Sequence, residues 1–230
     1  MYKIIESGRS MIEMLGVLAI VGVLSVGGIA GYSKAIRKFK DNKQIEQISM
    51  LLYNTIDIQT YLTDMVRKNP QSAFSIVNVL NSIDRIPEGM KVEDKILHDI
   101  YGNTLWSFYG LGYCLKSDGT SVRCSKPESY FSIILNHNDT KFSRNTENQC
   151  KNLVAAISPF SENIKGLEFR NNKNGSSTGA GYEVSNIIFG KKGCDSKKLC
   201  FDNLSPVQLD VFCKSCHTKS CGFILHLDLF

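Results

Sequence analysis

Residues 14–32 contain no charged side chain, and no cysteine occurs before Cys114. The first absence removes the solvated face that a surface helix needs, and the second confines disulfide or thiolate chemistry to the second half of the chain. Other absences narrow the function. Although the net charge is +5, no long basic block with interleaved aromatics occurs, so no dedicated nucleic-acid surface is signalled. Neither G-x-S-x-G nor H-E-x-x-H is present, and His98, His137, His217 and His226 share no recognisable motif. The polar loop 171–181 carries Gly175, Ser176 and Gly179 but no Gly-Lys-Ser/Thr ending, which excludes a phosphate loop. No catalytic residue, no resident metal, no cofactor and no enzymatic activity are expected.

The bulk of the chain has an ordinary globular composition. Its 230 residues are 43% apolar and 21% charged, enough for one or two domains with a real core. As a helix, residues 14–32 would be about 28 Å long, close to the hydrocarbon thickness of a bilayer. A cleaved signal peptide has a shorter apolar core followed by small residues of A-x-A type; here Lys34-Ala-Ile-Arg-Lys-Phe-Lys follows instead. Gly16, Gly22, Gly27, Gly28 and Gly31 interrupt the run. They would weaken a helix in water, but in a membrane they let helices approach closely.

Charge and cysteine give opposite orientations. Lys34, Arg37, Lys38, Lys40 and Lys43 follow the span, whereas only Lys3 and Arg9 precede it; the positive-inside tendency would put the C-terminal part in the cytoplasm. The eight cysteines, Cys114, Cys124, Cys150, Cys194, Cys200, Cys213, Cys216 and Cys221, are even in number and clustered, as disulfides of an oxidising compartment are. The competing reading is zinc held by Cys213-x-x-Cys216 with His217, Cys221 and Cys200, but no second CxxC stands at finger or ribbon spacing.

The tie is broken by Gly8-Arg9-Ser10-Met11-Ile12-Glu13-Met14-Leu15, which resembles the processing site of type IV prepilins. The resemblance implies a leader, residues 1–8, removed by prepilin peptidase after Gly8 on the cytoplasmic side. Arg9 would become the first residue and Glu13 the fifth, the position at which the family carries a glutamate. The family's first mature residue is usually apolar and N-methylated, and Arg9 departs from that. An ionised side chain in a bilayer is costly and generally marks a function. The resemblance implies that Glu13 meets the N-terminal amine of a neighbouring subunit; the local alternative is a carboxylate snorkelling to the interface from the helix start. It also implies a cytoplasmic N-terminus with the head outside.

Beyond the span, residues 41–64 read as a continued amphipathic helix with Ile45, Ile48, Leu52, Ile56 and Gln59 on one face. Together with the span this makes one helix of about 50 residues, longer than globular helices usually run. A short helix over 71–83, strands over 104–109, 111–115 and 129–135, a helix over 149–157 with Thr146 as N-cap, and a closing strand from Gly222 follow. The Gln149-Cys150-Lys151 helix before a cysteine-bearing tail resembles type IVb pilins, the toxin-coregulated pilin group. That resemblance implies a disulfide from Cys150 to one of the five cysteines from Cys194 to Cys221.

The expected fold is therefore α+β: a long N-terminal helix (9–64) packed on an antiparallel sheet head (65–230) with a disulfide-tied region. The expected function is a structural subunit of a type IVb-like pilus, held in the inner membrane and then assembled with copies of itself by the pilus machinery on the cell surface. A minor pilin or type II secretion pseudopilin uses the same chemistry. A single-pass anchored zinc or thiol domain is the reading of another class.

Overall fold

The computed structural model describes residues 11–68, 74–110, 113–115, 121–123, 128–135, 145–171, 183–214, 216 and 221–228. The chain forms two compact units, Met1–Lys40 and Asp41–Phe230, whose division falls inside the first helix. That helix, α1 (Met11–Asp57), is long and apolar enough in its first part to cross a membrane. Met11 and every residue from 13 to 39 are exposed in the isolated chain.

In the second unit α1 becomes a core element. Ile48, Leu51 and Leu52 are buried together with Leu105, Phe131, Leu153, Leu167 and Phe223. Full burial of each such side chain stabilises the fold by roughly 1.5–3 kcal/mol. The buried face is rotated from the expected stripe: Gln44, Gln47 and Thr55 are buried, while Ile45 and Ile56 are only partly covered. Nor is the helix unbroken to residue 64. It stops at Asp57, and α2 (Gln59–Lys68) follows after a break at Ile58. Thr55, Ile56 and Ile58 are β-branched, and the Thr55 hydroxyl donates back to the Leu51 carbonyl at 2.8 Å; both features weaken or bend a helix.

The short helix α3 (Ile76–Ser82) starts only after Ser75, whose hydroxyl accepts the Asn78 amide. A turn then places Gly89 at φ 77°, with the Met90 amide bonded to the Pro87 carbonyl at 3.2 Å, the left-handed position at which glycine is unstrained. The remaining elements are β1 (Lys91–Glu93), β2 (Ile96–His98), β3 (Thr104–Gly110), β4 (Tyr113–Leu115), β5 (Ser121–Arg123), β6 (Glu128–Leu135), α4 (Asn145–Ile157), β7 (Ile164–Asn171), β8 (Glu183–Phe189), α5 (Pro206–Lys214) and β9 (Cys221–Leu227). Thr146 lies within the first turn of α4 and is buried, so it is not the N-cap that the sequence suggests.

Seven strands form one antiparallel sheet in the order β1-β2-β3-β6-β9-β7-β8, and β4 and β5 form a separate hairpin. The last strand in sequence, β9, lies inside the sheet, paired with both β6 and β7. The architecture is thus the α+β arrangement expected: a long N-terminal helix, an antiparallel sheet, and disulfides in the C-terminal region. Gly166 lets the β4–β5 hairpin rest on the outer sheet face, since a Cβ there would lie 2.6 Å from the Leu115 side chain.

Candidate functional site

Glu13 lies in the first turn of α1 and is exposed. A carboxylate there opposes the positive end of the helix dipole. Around it, side chains such as Met14, Leu15, Leu18 and Val21 are more than half exposed. An apolar surface of this extent needs lipid or another helix against it. Gly8 and Arg9 lie outside the described residues.

Within the second unit, the C-terminal half of α1 is knitted to the head through a buried polar junction. Asp99 is its hub. One carboxylate oxygen accepts the amides of Tyr101 and Asn103 at 2.8 and 2.9 Å. The other accepts from the Gln44 and Asn103 side chains at 2.9 and 2.8 Å. Asn103 also donates to Gln149 of α4 at 2.8 Å. Gln47 donates to the Glu88 carbonyl and accepts the Ile100 amide. Asn152 of α4 donates to both Asp41 and Gln44. Satisfied buried networks of this kind specify one register, because a slipped helix would leave several polar groups desolvated and unpaired. Apolar periodicity does not reveal this interface, since Gln44 and Gln47 read as surface residues in sequence.

The cysteines tie down the C-terminal region. Cys150 bonds to Cys213, Cys194 to Cys200 and Cys216 to Cys221. Cys114 is also disulfide-bonded, and Cys124 lies outside the described residues. Of the five partners left open for Cys150, the structure selects Cys213, because α5 runs beside α4. Phe212 reinforces that docking with its ring 6.1 Å from Phe169 and 6.2 Å from Phe223. Cys200, Cys213, Cys216 and Cys221 are all consumed in these bonds, so they present no thiolates to zinc.

An ion cluster spans the same junction. Asp210 of α5 lies 2.7 Å from Lys151 of α4 and 2.6 Å from Lys214. Hydrogen bonds from the two ammonium groups lower its pKa from 3.8 to about 2. A depressed carboxylate pKa adds stability above the unfolded value, lost as pH falls through the folded one. Asp210→Asn should therefore be less stable than the parent at pH 7, with the gap closing between about pH 4 and 2. Denaturant midpoints at both ends of that window check this, and an equal gap at both would refute the assignment. The groups are partly exposed, so high salt should also shrink the gap.

His226 is buried in β9 with Nε2 3.1 Å from Glu168 Oε2 on β7, and both side chains are fully inaccessible. They face away from the core that contains Phe223 and Leu225, on the outer side of the sheet. The pair has no route to solvent, which fits the strand role expected for His226 rather than that of a base. His98 lies on β2, 3.5 Å from Glu93; His137, His217 and the 172–181 part of the polar loop lie outside the described residues. Compared with protein-family models, curated proteins and solved structures, the chain finds no match.

Proposed function

We infer that the chain is a filament subunit of type IVb pilin kind, with α1 as its assembly element and the disulfide-tied unit as its exposed head. The observation that carries this reading is a helix of two characters. Residues 14–32 of α1 offer an apolar surface to lipid or to other helices, and residues 44–55 are locked into a sheet-based core. In the membrane the first part anchors the subunit; in a filament, copies of it replace the lipid. Glycines without neighbouring atoms, Gly16, Gly22, Gly27, Gly28 and Gly31, would let backbones approach closely. The Asp99 junction would pass a load on the helix to the head, and the disulfides would keep the head folded outside the cell. The inner membrane, prepilin peptidase, the pilus assembly machinery and further copies of the chain are the partners this reading requires.

N-terminal sequencing of the protein from cells with and without prepilin peptidase tests the reading. The expected start is Arg9 with the peptidase and Met1 without it, and Gly8→Leu should retain Met1 in both. A Met1 start in assembled protein would overturn it. Abundance in sheared surface fibres then separates a major subunit from a minor pilin or pseudopilin.

A further inference from the structure

The sheet carries a groove along the edge of β3, on the face away from its core. β2 pairs with β3 only as far as Ile96 opposite Trp106. Three residues further along, Tyr109 exchanges both backbone hydrogen bonds with Phe74, at 2.9 and 3.0 Å. Between these pairings no strand among the described residues crosses the edge of β3. Ser107 faces inward there, fully buried, its hydroxyl accepting the Val77 amide at 2.7 Å. Alternation along the strand then turns Trp106 and Phe108 outward on the same face, roughly 7 Å apart along the strand. Both remain half-buried. The resulting groove has a volume of about 620 Å³ and is lined, among the described residues, by Asn78, Asp94, Lys95, Ile96, Trp106 and Phe108.

The components have distinct origins and complementary chemistry. The floor is aromatic and aliphatic. Phe108 is held by Tyr130 of β6, with ring centroids 5.9 Å apart. Asp94 and Lys95 form the two-residue turn of the β1–β2 hairpin, with Glu93 opposite Ile96 and Asp94 at φ 54°. Asn78 reaches in from α3. All three rim residues are exposed. Among the described residues the lining thus offers one carboxylate, one ammonium and one amide, with no net charge. An anion would meet Asp94 and a cation would meet Lys95, so neither gains a clear advantage. The favoured ligand is neutral, has one flat apolar face for the rings, and has an edge of hydroxyls that both donate and accept. The volume falls in the range of small-molecule sites, which combine apolar walls with a few placed polar groups.

We propose that this groove binds a neutral pyranose unit, its apolar face on Trp106 and its hydroxyls shared among Asp94, Asn78 and Lys95. The site lies wholly within the second unit and does not depend on the filament reading. Trp106 is the only tryptophan in the chain, so its emission reports the groove without a label.

The test uses the full chain in a detergent without a sugar headgroup, titrated with the methyl glycosides of glucose, galactose and N-acetylglucosamine. At least one should change Trp106 emission saturably, with a dissociation constant on the order of millimolar. Asp94→Gly, which tolerates the φ of 54° at that turn, and Asn78→Ala should each weaken that binding about tenfold while leaving the thermal midpoint of the protein unchanged. Calorimetry on Trp106→Leu, which has no tryptophan signal, should show binding lost. The proposal is overturned if none of the three glycosides saturates the signal, if the Asp94 and Asn78 variants bind as the parent does, or if only a charged probe such as phosphocholine or sialic acid binds.

Discussion

Removing the disulfide between α4 and α5, as Cys150→Ala with Cys213→Ala, should lower the stability of the protein by about 4 kcal/mol. The bond closes a segment of 63 residues, and cross-linking a long loop restricts the unfolded chain more than a short one. The Cys194–Cys200 bond spans only 6 residues, so its removal should cost about 2 kcal/mol on the same argument. Alanine is the right replacement. Both Cys150 and Cys213 are fully buried, and serine would add an unpaired hydroxyl to the loss. Urea denaturation of the full chain in detergent, under non-oxidising conditions for the variants, supplies the comparison. Equal losses from the two pairs would contradict the loop argument. The consequence for the proposed filament is specific. With the 150–213 bond gone, α5 is held to α4 mainly by Asp210 with Lys151 and by Phe212 in its aromatic pocket. Protease should then cut first in that region.

The second large effect is expected at the other end of the molecule. Glu13→Ala should be processed at Gly8 as the parent is, yet yield at least tenfold fewer surface fibres. The effect is electrostatic. A carboxylate 4 Å from an amine gains about 1 kcal/mol in bulk water but about 4 kcal/mol at an effective dielectric near 20. The interior of a filament built from residues 14–32 would be of the second kind. Losing that attraction at every contact would be multiplied along the polymer. Sequencing the N-terminus separates failed cleavage from failed assembly, and counting sheared fibres measures the second. Parent-level fibres from Glu13→Ala would refute the role assigned to the residue. Acetylating the new amine should reproduce the defect with Glu13 intact, because the same pair is broken from the other side.

Elements with a strong local signature were the ones legible in advance. The uncharged run, the helix around Cys150, and the strands β3, β6 and β9 were readable because their periodicity or β-branched content is dense. The β1–β2 hairpin was not anticipated. Its strands are three residues each and rich in charge, and its turn is Asp94-Lys95 rather than an Asn-Gly signal. β7, β8 and α5 lack a strong local signature for related reasons: β7 places Lys165 and Glu168 among its apolar residues, and α5 is short. The stripe on α1 was misplaced by about one residue, because its burial is decided partly by Gln44 and Gln47, whose partners come from the Asp99 turn and α4.

By itself, then, the sequence determined what depends on near neighbours: an apolar helix long enough to span a membrane, a carboxylate at its start, an α+β head, and a reserve of cysteines for bonding. Only the tertiary structure decided which cysteine meets Cys150, that the last strand inserts between β6 and β7, that His226 finds Glu168, and that Trp106 and Phe108 share a groove with Asp94 and Asn78. The physical reason is range. Periodicity and propensity act over a turn or two of chain. Strand order, the pairing of residues 63 positions apart and the meeting of α3 with a distant hairpin are instead set by how the whole chain returns on itself to bury one core.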